Sequence, residues 1–386
     1  MTGAACAHTN CGGCLYQGVP YSEQLAIKDA GVRKALEKSG LSGYEYLGIK
    51  ESPSIYAYRN KMDYTFGDEF KGGEMTLGMH RRKSYWSVVT TDGCMLVDSD
   101  FNTVLGCVLS FCKGRGYSAY RKKDHTGLLR YLVIRKGVRT RQLLINIVTS
   151  SQGPFDSGAL AHELLALDLK NGIKGILHTI DDRPADFVYC DKLNVIHGDE
   201  YYDEEISGLK FKVHAFSFFQ TNTDAAERLY STALSWIGPA HGKRALDLYC
   251  GAGTITQALA QSAVCATGIE ISPDAVRSAT ENARINALGN CSFIEGDVLE
   301  ALDTLSPEGF DLITLDPPRA GVHRKALDKI MKFGVGRILY ISCNPQSMAG
   351  DLAAMSRDYR VERIQAFDNF PFTKHVEAAA LLEKLK

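Results

Sequence analysis

The second half of the chain alternates short apolar runs with longer stretches whose apolar residues recur at helical spacing. KRALDLYCGAGTITQALAQSA is typical, and three further segments up to RILYISCNPQSMAGDLAAM repeat the same strand-then-helix order. This alternation predicts a mostly parallel sheet with helices on both faces. We therefore predict an α/β domain with a mostly parallel seven-stranded sheet over residues 211–386.

The first half follows a different pattern. YSEQLAIKDAGVRKALEKSG spaces apolar residues between Leu25 and Leu36 roughly as a helix does, and Gly40 suits its C-cap. The segments that follow, to about His214, alternate more like strands. LLRYLVIRKG and RTRQLLINIVT form the clearest pair, which predicts a hairpin. We predict an α+β domain over residues 1–210.

Composition excludes several classes of protein. The 386 residues are 45% hydrophobic and 23% charged, with a net charge of -1, as in ordinary globular proteins. The start MTGAACAHTN lacks the features of a signal peptide, and the apolar runs are too short to span a bilayer. Eleven cysteines in such a chain argue against a disulfide framework. We expect a cytoplasmic monomer without a membrane partner.

The first strands of the α/β half end in candidate cofactor contacts. DLYCGAGT follows one strand, and Gly251 and Gly253 let a ligand approach the backbone. The next strand ends at Glu270, whose carboxylate could accept hydrogen bonds from ribose hydroxyls. Asp297, in EGDV, stands where it could meet an adenine amino group. This order resembles the S-adenosylmethionine site of Rossmann-like class I methyltransferases.

Later strands end in residues with reactive side chains. One strand ends in DPPRAG at Asp316, and the buried run ILYIS ends in Cys343, inside SCNP. FPFTKHVE, with His375 and Glu377, begins the last predicted strand. Because carboxyl ends of parallel strands meet at one edge of a sheet, Cys343 should lie near Asp316. His375 could tune Glu377, contact RNA or be structural.

These motifs together resemble the RNA uracil-5-methyltransferases, which make 5-methyluridine in ribosomal or transfer RNA. DPPRAG, SCNP, FPFTKHVE, SFFQTN and the N-terminal CGGC occur in the order that the family has. The resemblance implies that Cys343 is the nucleophile and Glu377 the general base. It also implies that Gln220, Tyr249, Glu270 and Asp316 contact S-adenosylmethionine. With Gly251, Gly253 and Asp297 from the strand ends, these residues make up the predicted cofactor site.

The chemistry of uracil explains why such a site needs a thiol and a carboxylate. C5 of uracil is a poor nucleophile, but addition of a thiolate to C6 makes an enolate whose C5 attacks a sulfonium methyl group. A base then removes the C5 proton, and the thiolate leaves. The reaction requires a thiol of low pKa, a carboxylate that acts as base, and little water.

A cysteine cluster lies at the N-terminus. Cys6, Cys11 and Cys14 form C-x4-C-x2-C, and Cys94, in TTDGCMLVD, is the best candidate for a fourth ligand. In the methyltransferases that the chain resembles, a matching set holds a [4Fe–4S] cluster. Zinc could use the same four thiolates. His8 is a remote substitute for Cys6.

Basic residues interleaved with aromatic ones predict the RNA-binding surface. Between Lys113 and Arg141 there are ten Lys or Arg residues and one acid, Asp124. A smaller basic group, residues 81–83, is followed by Tyr85 and Trp86. Basic groups bind phosphates and exposed rings stack on unpaired bases. The predicted RNA contacts are Arg59, Lys61, Arg81, Arg82, Arg121, Lys122, Lys123 and Arg130.

The sequence thus predicts a methyltransferase that acts on C5 of a uridine in RNA, with 23S ribosomal RNA favoured over transfer RNA. The target uridine must be unpaired or flipped out of its stack, since C6 is otherwise inaccessible. Methylation of cytosine C5 is a second hypothesis, disfavoured because SCNP and HVE match the uracil group. A third is a non-catalytic iron–sulfur protein that binds or folds RNA.

Overall fold

The computed structural model describes residues 6–184, 187–238 and 241–386. Within these residues the chain forms two compact units. The first unit takes Met1–Gly18, Ser54–Glu205 and Lys212–Phe216, and the second takes Val19–Pro53, Ile206–Phe211 and Ser217–Lys386.

The helices of the described residues vary from 7 to 19 residues in length. They are α1 (Tyr21–Ser39), α2 (Ser99–Gly114), α3 (Ser157–Leu165), α4 (Thr223–Ile237), α5 (Thr254–Ala260), α6 (Pro273–Ile285), α7 (Val298–Thr304), α8 (Arg324–Phe333) and α9 (Pro345–Met355). A short 3₁₀ helix covers Pro307–Gly309.

The strands outnumber the helices in both halves of the chain. They are β1 (Glu45–Lys50), β2 (Lys61–Asp68), β3 (Met75–His80), β4 (Val88–Thr90), β5 (Leu129–Gly137), β6 (Gln142–Thr149), β7 (Gly172–Ile180), β8 (Lys192–Gly198), β9 (Tyr201–Ile206), β10 (Leu209–His214), β11 (Arg244–Leu248), β12 (Cys265–Glu270), β13 (Cys291–Glu295), β14 (Leu312–Leu315), β15 (Arg337–Ser342), β16 (Tyr359–Phe367) and β17 (Glu377–Lys384).

The described residues of the second unit contain an eight-stranded sheet. Its order is β1-β16-β17-β15-β14-β11-β12-β13. All neighbours are parallel except β17, which runs antiparallel to β15 and β16. The predicted α/β class and mostly parallel sheet are confirmed. The predicted number of seven strands is too low by one, because β1 adds to the edge beside β16.

Helix α1 and strand β1 belong to this second unit. The predicted helix is present, and Gly40 ends it in a left-handed conformation with its N–H donating to the carbonyl of Glu37. Val32 and Leu36 are buried in the same core as α9, which α1 packs against. The predicted boundary near residue 210 therefore does not apply to these residues. The apolar side chains of α1 pack against elements of the second unit, and β1 pairs with one of its strands.

The first unit contains a seven-stranded sheet in the order β4-β3-β2-β5-β6-β7-β8. Its neighbours are antiparallel except β6 and β7. The predicted hairpin is β5 with β6, and α2 and α3 share one core with the sheet. No helix of the described residues is long and apolar enough to cross a membrane.

The strand order of the second unit reverses at β11, which lies between β14 and β12. Crossover helices on either side of such a switch point leave a crevice beyond the carboxyl ends of the strands. The segments that follow β11, β12, β14 and β15 therefore end at the same edge of the sheet.

Candidate active site

The turn after β11 is built on glycines and on a buried carboxyl group. Asp247 is 1% exposed and accepts hydrogen bonds from the hydroxyls of Thr256 and Thr314, both at 2.6 Å. Burial raises the pKa of Asp247 to about 6. These bonds join α5 and β14 to β11 and so hold the turn Tyr249–Gly253 against the sheet.

Gly253 begins α5 in the left-handed region, with φ of 76°. A Cβ at this position would lie 2.6 Å from Cε1 of Phe293, so the turn approaches the neighbouring ring too closely for a side chain. Gly251 has φ of 53° and open space where a Cβ would be. Both predicted glycines therefore serve the backbone of the turn, but only Gly253 is confined by packing.

Glu270, at the end of β12, lies beside this turn. Its carboxylate accepts from the backbone N–H of Gly251 at 3.0 Å and from that of Ser272 at 2.9 Å. A fixed carboxylate next to a glycine turn suits the hydroxyl groups of a ribose. Asp297 is exposed and caps α7 by accepting from the N–H of Leu299 at 2.7 Å. Burial and the charge of Asp297 raise the pKa of Tyr249 to about 12.

Gln220 and Asp316 share a neighbour that the sequence did not suggest. The side-chain amide of Gln220 donates to the hydroxyl of Tyr230 at 2.9 Å, and Tyr230 is 4% exposed. Burial, followed by the charge of Asp316, raises the pKa of Tyr230 well above its ordinary value. Burial and the nearby Asp247 raise the pKa of Asp316 to about 7. Gln220, Tyr230 and Asp316 thus form one polar group near the end of β14.

Cys343 follows β15 directly, where Asn344 caps α9. The side chain of Asn344 donates to the carbonyl of Arg319 at 2.9 Å, and the hydroxyl of Ser347 donates to the same carbonyl at 3.3 Å. These bonds tie the segment after β15 to the one after β14. The predicted proximity of Cys343 and Asp316 is present, since the charge of Asp316 acts on the Cys343 thiol.

Glu377 begins β17, and its charge acts on the Cys343 thiol. Ser342 pairs with Ala378 across β15 and β17, so Cys343 and Glu377 are the next positions of the same register. Burial, then the charges of Glu377 and Asp316, raise the pKa of the Cys343 thiol, while Arg319 lowers it. Burial, then Asp316, raises the pKa of Glu377 to about 8. The expectation of a thiol of low pKa is therefore not met in the protein by itself.

The four cysteines of the predicted metal site lie near one another in the first unit. All are partly buried, and burial together with the Cys94, Cys11 and Cys6 thiols raises the pKa of Cys14 to about 12. Their donor chemistry suits an iron–sulfur cluster or zinc. However, no group of three or more metal-ligating side chains at coordinating geometry is present in residues 6–184, 187–238 and 241–386. The metal site stays a prediction.

The segment that contains Cys11 and Cys14 is hydrogen-bonded to the β3–β4 hairpin, which carries the smaller basic group of residues 81–83. The N–H of Gly12 donates to the carbonyl of His80 at 2.9 Å, and a Cβ at Gly12 would lie 2.8 Å from that oxygen. The guanidinium of Arg82 donates to the carbonyl of Cys14 at 2.6 Å. Tyr85 and Trp86, in the same hairpin, are 86% and 69% exposed. The segment around Cys11 and Cys14 therefore supports a loop with exposed aromatic rings.

The predicted RNA contacts separate into exposed and buried side chains. Arg121 and Lys123 are exposed in a tight turn closed by pairing of Arg121 with Thr126, and Arg82 is exposed as well. Arg59, Lys61, Arg81 and Lys122 are partly buried. Lys61 pairs with Asp63 at 2.7 Å, and Arg59 donates to the carbonyl of Lys61.

Arg130 was predicted to contact RNA, but the structure buries its side chain. It is 3% exposed, its guanidinium pairs with Asp181 at 3.3 Å and lies over the Tyr120 ring at 4.6 Å. A side chain enclosed in this way has no surface to offer to a phosphate. Arg130 belongs to the interior of the first unit because β5 places it opposite a buried carboxylate, which its basic neighbours in the sequence did not indicate.

Three contributors to the site were missed. Arg319 was visible in DPPRAG but was given no role, although it is the cation that acts on both Cys343 and Glu377. Tyr230, on α4, has no local sequence signal, whereas Asp247 lies buried within β11. A polar residue inside a predicted buried strand could have drawn attention to Asp247.

Comparisons with known proteins agree with this geometry. The family model described as tRNA (uracil-5-)-methyltransferase matches residues 191–385. The chain is 45% identical to an uncharacterized RNA methyltransferase of Caldanaerobacter subterraneus subsp. tengcongensis, over 98% of this chain and 84% of that protein. It is 42% identical to another from Clostridium tetani, over 98% and 83%.

A solved structure is similar over both units. It is the Pyrococcus abyssi tRNA (uracil-54, C5)-methyltransferase in complex with S-adenosyl-L-homocysteine, with a TM-score of 0.79 and 28% identity. The alignment covers 97% of this chain and 86% of that one. The ligand in that structure is the demethylated product of S-adenosylmethionine.

Proposed function

Because the chain belongs to the RNA uracil-5-methyltransferase family, whose enzymes depend on S-adenosylmethionine, we propose that it methylates uridine C5 through a covalent adduct on Cys343. The observation that supports the proposal is the register of β15 and β17, which pairs Ser342 with Ala378, the residues next to Cys343 and Glu377, together with the action of the Glu377 charge on the Cys343 thiol. Both groups stand at the carboxyl edge of the sheet, where the glycine turn and Asp316 also end.

The Cys343 thiolate would add to C6 of the uracil and form an S–C6 bond, with the electron pair moving onto the C4 carbonyl as an enolate. S-adenosylmethionine would supply an electrophilic methyl group, to which C5 bonds as the bond from that methyl group to the sulfonium breaks and S-adenosylhomocysteine leaves. Glu377 would then take the C5 proton, which restores the C5–C6 double bond as the S–C6 bond breaks and the thiolate leaves. Cys343 is regenerated, and Glu377 passes its proton to solvent.

The electrostatics of the site support these roles and add a requirement. A carboxyl group with a pKa of about 8 is ionised in part near neutral pH, which suits a general base. The thiol, by contrast, lies near two carboxyl groups that raise its pKa, and Arg319 opposes them. We infer that a cation at the site, Arg319 first of all, is needed to populate the thiolate.

The residues that would hold S-adenosylmethionine surround the turn after β11. We propose that Glu270 accepts from the ribose hydroxyls and that Asp297 lies near the adenine. Gly251 and Gly253 let the ligand approach the backbone, and Tyr249 would lie against it. Gln220 and Asp316 would stand near the methionine end, next to Cys343. The bond from Gln220 to Tyr230 would fix the orientation of the amide.

The RNA target is open between two candidates. The sequence favours 23S ribosomal RNA. Transfer RNA is the second candidate, because the similar structure from Pyrococcus abyssi is a tRNA (uracil-54, C5)-methyltransferase. We propose that the exposed turn with Arg121 and Lys123, and the hairpin with Arg82, bind phosphates of either RNA.

The experiment that tests the mechanism uses RNA in which 5-fluorouridine replaces uridine, with S-adenosylmethionine. Fluorine at C5 cannot leave as a proton does, so the reaction should stop at a methylated adduct that resists denaturation. Cys343→Ala should abolish the adduct, whereas Cys107→Ala, at a partly buried cysteine of the first unit, should not.

Mapping the RNA in the adduct separates ribosomal from transfer RNA. A product of 5-methylcytidine from ordinary RNA would overturn the choice of uracil. RNA binding without any adduct or methyl transfer would favour the non-catalytic binding protein.

We also propose a [4Fe–4S] cluster on Cys6, Cys11, Cys14 and Cys94, with zinc as the alternative. No step above passes through it, because methyl transfer from a sulfonium moves no net electrons. Its role would be to hold the segment that bonds to His80 and Arg82. Iron, sulfide and zinc analysis of anaerobically purified protein tests this, with Cys14→Ser compared with Cys107→Ser. Protein with neither metal would overturn the proposal.

A further inference from the structure

The loop of residues 368–376 joins the end of β16 to Glu377 at the start of β17. It is closed by its own hydrogen bonds. The N–H of Phe370 donates to Oδ1 of Asp368 at 3.1 Å, and the hydroxyl of Thr373 donates to the carbonyl of Phe370 at 2.8 Å. Phe372 has φ of 65°, a conformation that costs a non-glycine residue energy unless its surroundings hold it.

Two side chains of α1 bind this loop from one face of the helix. Lys28 donates to Oδ1 of Asp368 at 2.6 Å and to the carbonyl of Phe370 at 3.0 Å. Gln24, one helical turn earlier, accepts from the N–H of Phe372 at 2.8 Å. Gln24 is 0% and Lys28 3% exposed. The backbone at the strained residue is thus held by a side chain from a distant part of the chain.

A third bond joins the loop to the segment of Gln220. Asn222 is 3% exposed, and its amide donates to the carbonyl of Asn369 at 2.7 Å. Its oxygen accepts from the N–H of Ala225 and caps α4. The loop before Glu377 is therefore fixed at successive positions from Asp368 to Phe372, by α1 on one side and by the start of α4 on another.

Stability alone explains this arrangement poorly. Replacement of a buried ion pair by apolar residues of similar size is often neutral or stabilising, because the desolvation of both charges offsets their attraction. Lys28 and Asp368 have side chains 1% and 0% exposed, so desolvation is nearly complete. What such polar contacts specify is position, since each donor and acceptor has a narrow range of distance and angle.

We propose that Gln24 and Lys28 are positioning residues for Glu377. They hold the 368–376 loop so that the Glu377 carboxylate faces the C5 proton of a uracil bound to Cys343. The inference rests on the proposed function. Cys343 is positioned separately, by β15 and by the bond from Asn344 to the Arg319 carbonyl. Release of the loop should therefore impair proton removal and leave addition of the thiol largely intact.

The test compares Lys28→Met with Lys34→Met, which changes an exposed lysine of the same helix. With 5-fluorouridine RNA, Lys28→Met should form the denaturation-resistant adduct within about threefold of the wild-type rate, because proton removal is not needed there. With ordinary RNA the adduct should accumulate, and product should form roughly tenfold or more slowly, since a misplaced base loses most of its effect. Lys34→Met should match the wild type in both assays.

Two further variants keep the test decisive if Lys28→Met is too unstable. Gln24→Leu leaves the ion pair intact and removes the acceptor for the N–H of Phe372, together with the donor to the carbonyl of Val19 just before α1. Lys28→Met combined with Asp368→Leu replaces both charges. In both variants we expect adduct formation with 5-fluorouridine RNA near the wild-type rate, and slower product formation with ordinary RNA.

Equal slowing of the two assays, or turnover at the wild-type rate without adduct, would overturn the positioning role. Absence of any adduct in the wild type with 5-fluorouridine RNA would instead overturn the proposed covalent mechanism, and the positioning role with it.

Discussion

Cys343 directly follows β15 and Glu377 begins β17, and the antiparallel ladder of these strands pairs their neighbours Ser342 and Ala378. Cys343 thus stands between the end of β15 and Asn344, the cap of α9. The thiol and the carboxyl group therefore meet at the carboxyl edge of the sheet although 33 positions separate them in the sequence. The predictions below follow from the electrostatics and packing around this pair.

The first prediction concerns pH. Burial and Asp316 raise the pKa of Glu377 to about 8, and only the ionised carboxylate can accept the C5 proton. The rate of adduct breakdown should therefore rise about tenfold per pH unit below pH 7 and level off above pH 8 to 9. Single-turnover assays from pH 6 to 9.5 with ordinary RNA would measure it. A rate that falls over this range would contradict the role of Glu377.

The second prediction concerns stability. The pKa of Glu377 is raised on folding from 4.5 to about 8, so the folded protein holds a proton that the unfolded chain releases in this window. Folding stability from this group is present below pH 4.5 and is lost as pH rises through 8. Glu377→Gln should hardly change the free energy of unfolding at pH 5 and raise it by about 1–2 kcal/mol at pH 9.

Urea unfolding at the two pH values would measure this difference. Glu300→Gln, at an exposed residue of α7, serves as the control. A stabilisation by Glu377→Gln that is larger at pH 5 than at pH 9 would contradict the raised pKa.

The third prediction concerns Arg319, whose charge lowers the pKa of both Cys343 and Glu377. Arg319→Gln should raise the pKa of the Cys343 thiol, and adduct formation near pH 7.5 should slow severalfold. The backbone carbonyl that anchors Asn344 remains in this variant. The pH dependence of Cys343 alkylation, followed by mass spectrometry of its peptide, would report the shift. Arg324→Gln, at an exposed residue of α8, is the control.

The fourth prediction contrasts the two glycines of the turn. Alanine at Gly251 or Gly253 would adopt a left-handed conformation, at a cost of about 1–2 kcal/mol each. Only at Gly253 does the new Cβ also approach the Phe293 ring, at 2.6 Å. Gly253→Ala should therefore lose about 1–3 kcal/mol more than Gly251→Ala in urea unfolding. Equal losses would show that the ring moves aside.

The fifth prediction concerns RNA. Arg121→Ala and Lys123→Ala should each weaken RNA binding regardless of sequence and reduce the salt dependence of the affinity by about one phosphate contact. Lys71→Ala, at an exposed lysine of the same unit, is the control. Arg130→Ala should instead lower the melting temperature, because it leaves the buried Asp181 unpaired. Filter binding at several salt concentrations would separate these effects.

Much of the architecture could be predicted because it is local. Alternating apolar runs and helical periods mark β11 to β15 and the helices between them, and Gly40 ends α1 through its own backbone conformation. The motifs that end the strands could be placed together because parallel strands end at one edge of a sheet. The roles of a thiol nucleophile and a carboxylate base at that edge were predicted from the resemblance to the RNA uracil-5-methyltransferases, and the chemistry of uracil fits those residue types.

Other features depend on contacts between distant parts of the chain. Nothing near Glu45–Lys50 predicts that it pairs with β16, and nothing near Lys28 predicts a bond to Asp368. Basic residues in a row do not reveal that Arg130 is buried. A residue's own sequence neighbours carry information on backbone preference, but not on which distant surface covers its side chain.

The sequence by itself thus determined the order of the strands and helices of the α/β half and the residues at their ends, and its resemblance to a family indicated the reaction. Only the tertiary structure decided that α1 and β1 join this unit, that Arg319 opposes two carboxyl groups at Cys343, and that the pKa of Glu377 is near 8. The physical reason is that periodicity and turn chemistry act over a few residues, whereas burial and electrostatic fields are sums over everything that packs nearby.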